Sequence, residues 1–165
     1  MRYILMAMLI VLTCFDLSMA QTRDQQRESL RGLQGVEVVI EGIRPDAQSD
    51  GLSQEAIRAA VELILRSNGI RVLTQSESIK TPAAPYLYVR TSTYNHSSDL
   101  SAYAVTVEFI QKVSLVHRPQ QMMSATTWEK GSIGTTGHSD IRQVINSVEK
   151  LVKAFANDFL AVNPR

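Results

Sequence analysis

The sequence predicts an α+β fold, a two-layer sandwich in which a mixed five-stranded sheet carries two helices on one face. Two segments place apolar residues at helical spacing, and five segments are β-branched or alternate between apolar and polar residues. Their order along the chain is β-α-β-β-β-β-α. Such an order is typical of one mixed sheet with both helices packed on the same face.

The first two strands flank the first helix. Residues 36–40 are β-branched apart from one glutamate and are bounded by Gly35 and Gly42, which predicts a strand. Residues 70–73 predict the second strand. If these strands share a sheet, the crossover between them is right-handed.

The first helix is predicted over residues 54–68. Ser53 is placed as its N-cap, and Gly69 is placed as the C′ residue beyond its end. The buried stripe of this helix is predicted from six apolar residues: Ala56, Ile57, Ala60, Val61, Ile64 and Leu65.

Three further strands are predicted over residues 86–94, 102–116 and 122–129. The loop before them, residues 80–85, contains two prolines, and turns are predicted at 95–99 and 117–120. Because the connections are short, the three strands are expected to form an antiparallel meander.

The last helix is predicted from an N-cap at Ser139, with Asp140 just inside, to about residue 161. Its apolar stripe consists of Ile141, Val144, Ile145, Val148, Leu151, Val152, Phe155 and Phe159.

The stretch GSIGTTGHS at residues 131–139 looks like a phosphate-binding loop but matches neither phosphate motif. Its outer glycines are one residue too far apart for a Walker loop, and His138 stands where the lysine is required. We therefore predict no nucleotide and no cofactor, and we interpret Gly134 and Gly137 as parts of a flexible strand-to-helix connection. A weak anion site at Ser139 remains open.

Four aromatic residues, Tyr86, Tyr88, Tyr94 and Trp128, could line one face of the sheet and bind a protein partner or a glycan. The alternative, which the sequence favours, is that these rings only cover the sheet, because strands are naturally rich in aromatic residues.

No catalytic residues and no metal site are predicted. The chain lacks the G-x-S-x-G elbow, and Glu108 with Lys112 is interpreted as a surface ion pair. The three histidines, His96, His117 and His138, lie in separate predicted turns without metal-ligand spacing.

The first 20 residues have the layout of a secretory signal peptide. Arg2 precedes a short apolar run, and residues 18–20, Ser-Met-Ala, fit the cleavage rule. The residues before Cys14 depart from a bacterial lipobox, so lipidation there is not predicted. The sequence therefore predicts a periplasmic or secreted protein.

After this segment, residues 21–31 predict a polar tether or a frayed helix, and residues 32–165 predict a single domain. Residues 21–165 carry 16 basic and 15 acidic side chains without a basic block. Nucleic-acid binding, which requires a concentrated positive field, is therefore not predicted.

Several phrases of the sequence resemble a set of uncharacterised exported bacterial proteins. These phrases are residues 30–41, 50–52, 65–73, 84–89, 126–128 and 155–160. The element order is also similar to the N-terminal α/β domain of the Tol-system propeller protein, which engages envelope partners. The first resemblance implies no activity, and the second is one of architecture, which does not define function.

Two functions follow as hypotheses. The first is a non-enzymatic envelope protein that binds a protein or a ligand through a sheet edge or the aromatic face. The second is a small exported hydrolase or ligand-binding enzyme that uses the loop at residues 131–139, with His138 and Ser139.

Overall fold

The computed structural model describes residues 22–95, 101–137 and 140–164. The strands are β1 (Val36–Ile40), β2 (Val72–Leu73), β3 (Tyr86–Asn95), β4 (Ser101–Leu115) and β5 (Arg118–Thr136). The helices are α1 (Arg23–Glu28), α2 (Pro45–Ser49), α3 (Gln54–Ser67), α4 (Gln75–Lys80) and α5 (Arg142–Val162).

The five strands form one open mixed sheet in the order β2-β1-β3-β4-β5. Strand β1 pairs in parallel with β2 and β3, whereas β3, β4 and β5 form the antiparallel meander expected from their short connections. The predicted fold class is confirmed.

The hydrophobic core lies between one face of the sheet and helices α3 and α5. Alternate residues of the strands point inward: Val36, Val38, Leu87, Val89, Val105, Val107 and Phe109. The helices meet them with Ile57, Val61, Leu65, Val148, Val152 and Phe155. Each such side chain contributes about 1.5–3 kcal/mol by leaving water, so the period-2 and period-3.6 patterns determine which faces meet.

Helix α3 begins and ends as its sequence predicts. The Ser53 hydroxyl accepts a hydrogen bond from the Ala56 amide at 3.1 Å, which satisfies one of the unpaired N–H groups of the first turn. Beyond the helix end, Gly69 has a φ of 67°, a left-handed conformation that glycine adopts without steric cost.

The sequence patterns did not define the three short helices α1, α2 and α4. In α4, Thr74 and Glu77 form a capping box immediately before the proline loop. In α1, within the segment predicted as a tether or frayed helix, Thr22 and Gln25 form a second capping box. Each of the three helices has five or six residues, too few for an apolar stripe to repeat.

Strand β5 differs most from its prediction. It spans Arg118–Thr136, so it includes most of the predicted turn at 117–120 and the first six residues of the glycine-rich stretch. Register with β4 continues to the Ser101–Thr136 pair, because each added residue gains a cross-strand neighbour on the long strand β4. Among the described residues, no helix combines the length and apolarity needed to cross a membrane.

Candidate functional site

The two faces of the sheet have different surroundings. Helices α3 and α5 cover the inner face, while the outer face carries the side chains that alternate with the core residues. On β3 these outer residues are Tyr86, Tyr88, Arg90, Ser92 and Tyr94. Three of the four aromatic residues singled out in the sequence therefore share one face.

The fourth aromatic residue, Trp128, lies on the opposite face, so its predicted position beside the tyrosines is wrong. Its side chain is 1% exposed and packs edge-on against Phe155, with ring centroids 5.1 Å apart. A β-bulge lies between the pairs Phe109–Trp128 and Ile110–Thr126. The inserted residue puts Thr126 and Trp128 on opposite faces despite their two-residue spacing, and alternation in sequence gives no sign of it.

An ion-pair cluster occupies the middle of the outer face. The Arg90 guanidinium lies 3.1 Å from Glu108 and 4.0 Å from Glu41. Burial is the main cause that raises the pKa of Tyr88. A hydrogen bond from the Tyr88 hydroxyl to the Glu41 carboxylate raises it further. The partner of Glu108 is therefore Arg90 on the neighbouring strand, not the predicted Lys112.

Two open hollows flank this cluster. The tyrosine hollow, of about 360 Å³, lies between α4 and the sheet and is lined by Val39, Tyr86 and Tyr88. The alanine hollow, of about 670 Å³, lies at the other end of the outer face. Its floor includes Ala102 and Ala104, and its lining includes Tyr94, Ile133 and Arg44.

The glycine-rich stretch forms an edge strand as far as Thr136, so the prediction of a flexible connection is wrong for residues 131–136. Gly134 points inward, where an added Cβ would lie 2.6 Å from the Tyr103 hydroxyl oxygen. That hydroxyl lies 2.9 Å from Ser147 Oγ on α5. Gly134 therefore makes room for a ring that joins the sheet to the last helix, and its φ is not positive.

The end of the same stretch leads into α5. The Thr136 hydroxyl donates to the carbonyls of Gly137, at 3.2 Å, and Asp140, at 2.7 Å. His138 and Ser139 lie outside the described residues, so the anion site and the loop enzyme stay predictions, but the predicted N-cap at Ser139 is wrong because α5 begins at Arg142 with Ile141 as its N-cap. Asp140 precedes α5 instead of lying inside it.

The other two histidines, His96 and His117, do not contribute to a functional site in the described part of the chain. His117 lies in the exposed turn between β4 and β5, and His96 is also outside the described residues. Across residues 22–95, 101–137 and 140–164, no three His, Cys, Asp or Glu side chains are grouped so that they could hold a metal ion.

A charged network that the sequence did not indicate joins α1, β5 and α5. Asp158, with a side chain 17% exposed, accepts hydrogen bonds from Trp128 Nε1 at 3.0 Å, Lys130 Nζ at 3.1 Å and Arg27 Nε at 3.2 Å. Burial alone would raise the pKa of Asp158, but these donors outweigh it and hold the pKa below its usual value. This network is structural, since it lies on the inner side and at the β5 edge.

The two edges of the sheet are protected differently. Beyond the two-residue strand β2, Arg58 Nη1 donates to the Val38 carbonyl at 2.7 Å, and Gln54 Nε2 donates to the Ile40 carbonyl at 3.1 Å. On β5 the residues near α1 are covered, because Ser29 Oγ donates to the Thr127 carbonyl at 3.2 Å. Side chains thus protect part of each edge from pairing with another strand.

Comparison with known proteins identifies no family. No protein-family model matches the chain, and no curated protein matches its sequence. Among solved structures, the PelC dodecamer from Paraburkholderia phytofirmans is similar at 14% identity and a TM-score of 0.39, over 80% of this chain and 91% of that chain. A minor lipoprotein from Acinetobacter baumannii is similar at 10% identity and a TM-score of 0.30, over 79% of this chain and 93% of that chain. Neither similarity is close enough to transfer a function.

Proposed function

We propose that this protein is an exported, non-enzymatic binding module of the bacterial envelope that engages a protein partner through the outer face of its sheet. The observation that carries the proposal is the arrangement of that face, where an ion-pair cluster separates two hollows bordered by tyrosine rings. The signal-like segment at residues 1–20 and the resemblance to exported proteins support the compartment.

The residues that line the tyrosine hollow are suited to bind a protein partner. Tyr86 and Tyr88 are half-buried side by side along one face of β3, so little rotamer freedom is left to lose when a partner covers them. The Tyr88 ring lines the hollow beside Val39, so it offers apolar surface to a partner. Aromatic anchors of this kind dominate binding energy at protein interfaces.

The ion-pair cluster beside the hollow supplies polar contacts. Arg90 has a side chain 45% exposed and holds two carboxylates in position, so the cluster can accept and donate hydrogen bonds at the rim of an interface. We do not extend the hydrolase alternative, because residues 131–136 of its loop belong to strand β5.

The proposal is tested by cross-linking the tagged protein in living cells and identifying captured proteins by mass spectrometry. A Tyr86→Ser/Tyr88→Ser variant is expected to lose specific envelope proteins that the unchanged chain captures. Leu63→Ser is the control, because Leu63 is an exposed apolar residue of helix α3, away from the outer face of the sheet. Capture that persists in the double variant, with circular dichroism showing that it is folded, would overturn the proposal.

A further inference from the structure

We infer that two copies of this chain pair through the edge of β5, with the strands antiparallel and the two-fold axis at Ile133. The inference goes beyond the proposed function, because it concerns a sheet edge and a second copy rather than the tyrosine hollow and a different protein.

Every second residue of β5 directs its main-chain groups away from β4. The Glu129 amide donates to Gln26 Oε1 of α1 at 3.4 Å, so it points away from β4. Register with β4 is regular from Trp128 to Thr136, and main-chain groups alternate in direction along a strand. The N–H and C=O groups of Gly131, Ile133 and Thr135 therefore point away from β4 as well, and no described residue pairs with them.

The composition of this edge does not protect it from pairing with another strand. The stretch from residue 131 to residue 136 contains no charge and no proline, which are the features that natural edges use against pairing. Other parts of the edges carry such protection: Pro119 near the start of β5, α1 at residues 127–129, and Arg58 beyond β2. Ile133, at the centre of the unprotected stretch, is 86% exposed on the outer face.

The unpaired part of the β5 edge, called the open window below, has Ile133 at its centre. Contact with α1 ends at Glu129 and the strand ends at Thr136, so the open window is residues 130–136, whose midpoint is Ile133. In an antiparallel pair centred there, Ile133 faces its own copy and Gly131 faces Thr135. Every outward N–H of these three residues then meets an outward C=O of the other copy, which gives six main-chain hydrogen bonds by this register.

The edge of β5 is chemically compatible with the same edge of a second copy. Residues 131–136 are glycine, serine, threonine and isoleucine, and Lys130 faces Thr136 of the other copy, so no like charges meet and the two exposed isoleucines bury each other. Such an interface is isologous, because each copy contributes the same surface and the pair closes without further growth.

The test is analytical ultracentrifugation of the purified protein over a concentration series. The unchanged protein is expected to dimerise, and Ile133→Lys is expected to raise the dimer dissociation constant by about a hundredfold, because two apolar contacts become two facing cations. Met122→Lys is the matched control, since Met122 is an exposed residue of the same strand outside the window. It is expected to leave the dimer intact.

A mixing experiment tests the register and shows that the variants can still pair. Ile133→Lys and Ile133→Glu are each expected to be monomeric alone and to form a heterodimer when mixed, because only the mixture places opposite charges together across the axis. A mixture that stays monomeric would overturn pairing centred on Ile133.

Other outcomes also overturn the inference. They are a wild-type monomer at sub-millimolar concentration, a dimer indifferent to Ile133→Lys, and a dimer broken by Met122→Lys instead. The proposed function is judged separately, by whether capture in cells depends on Tyr86 and Tyr88, and a monomeric protein that still captures partners would remove only the self-pairing.

Discussion

Replacing Asp158 by alanine is expected to destabilise the domain more than any change of an exposed carboxylate. The substitution removes the acceptor of three donors and leaves the Trp128 indole N–H buried without a partner. A hydrogen bond to a charged group contributes about 1.5–3 kcal/mol, and a buried donor left unpaired costs about 1–3 kcal/mol. Lys130 and Arg27, with side chains 35% and 41% exposed, regain water and add about 0–1 kcal/mol.

The expected loss is therefore about 3 kcal/mol in the free energy of unfolding, measured by urea titration. Trp128 is the single tryptophan of the chain, so its fluorescence reports the network directly. Asp24→Ala is the matched control, because Asp24 also lies near Arg27, at 3.8 Å, but its side chain is 92% exposed. It is expected to change stability by no more than about 0.5 kcal/mol. Equal losses of stability in the two variants would contradict a structural role for Asp158.

Three further predictions follow from single contacts. Gly134→Ala is expected to cost about 1–3 kcal/mol because its Cβ meets the Tyr103 ring, whereas Gly131→Ala, with its nearest atom at 3.5 Å, is expected to be nearly neutral; urea titration compares them. Wild type is expected to keep its whole stability advantage over Asp158→Ala above pH 3.8 and to lose it as the pH falls through the lowered pKa of Asp158. Acid titrations of both proteins measure this difference. Glu41→Gln is expected to lower the raised pKa of Tyr88, followed by ultraviolet difference spectra.

The sequence was informative wherever a pattern repeats over several turns or residues. The stripe of α3 and the alternation of β3 and β4 predicted both the elements and their buried faces, because burial of apolar area determines those faces. Helix α4 was not predicted and α1 was predicted only as one of two alternatives, since six residues cannot show a helical period. Their capping boxes, at Thr22 and Thr74, were the only local signal.

The candidate site was only partly predictable. That Tyr86 and Tyr88 share a face follows from their spacing, but the interaction of Tyr88 with Glu41 and the place of both rings beside α4 depend on which strands become neighbours. The position of Trp128 depends on a bulge that one residue of register decides. Glu108 met Arg90 because β3 and β4 lie side by side, a contact between residues 18 positions apart.

Local spacing and local conformational preference in the sequence were enough to predict the fold class and, to within one residue, the limits of α3, β3 and β4. The conformation of the glycine-rich stretch at residues 131–136 depends instead on tertiary contacts. Glycine and threonine are compatible with a loop as well as with an edge strand. The strand forms because β4 offers cross-strand partners as far as Ser101, and because the Tyr103 ring fills the space above Gly134. The open edge at Ile133 and the covered edge at β1 likewise follow from which side chains of other elements reach them, and no local pattern encodes that.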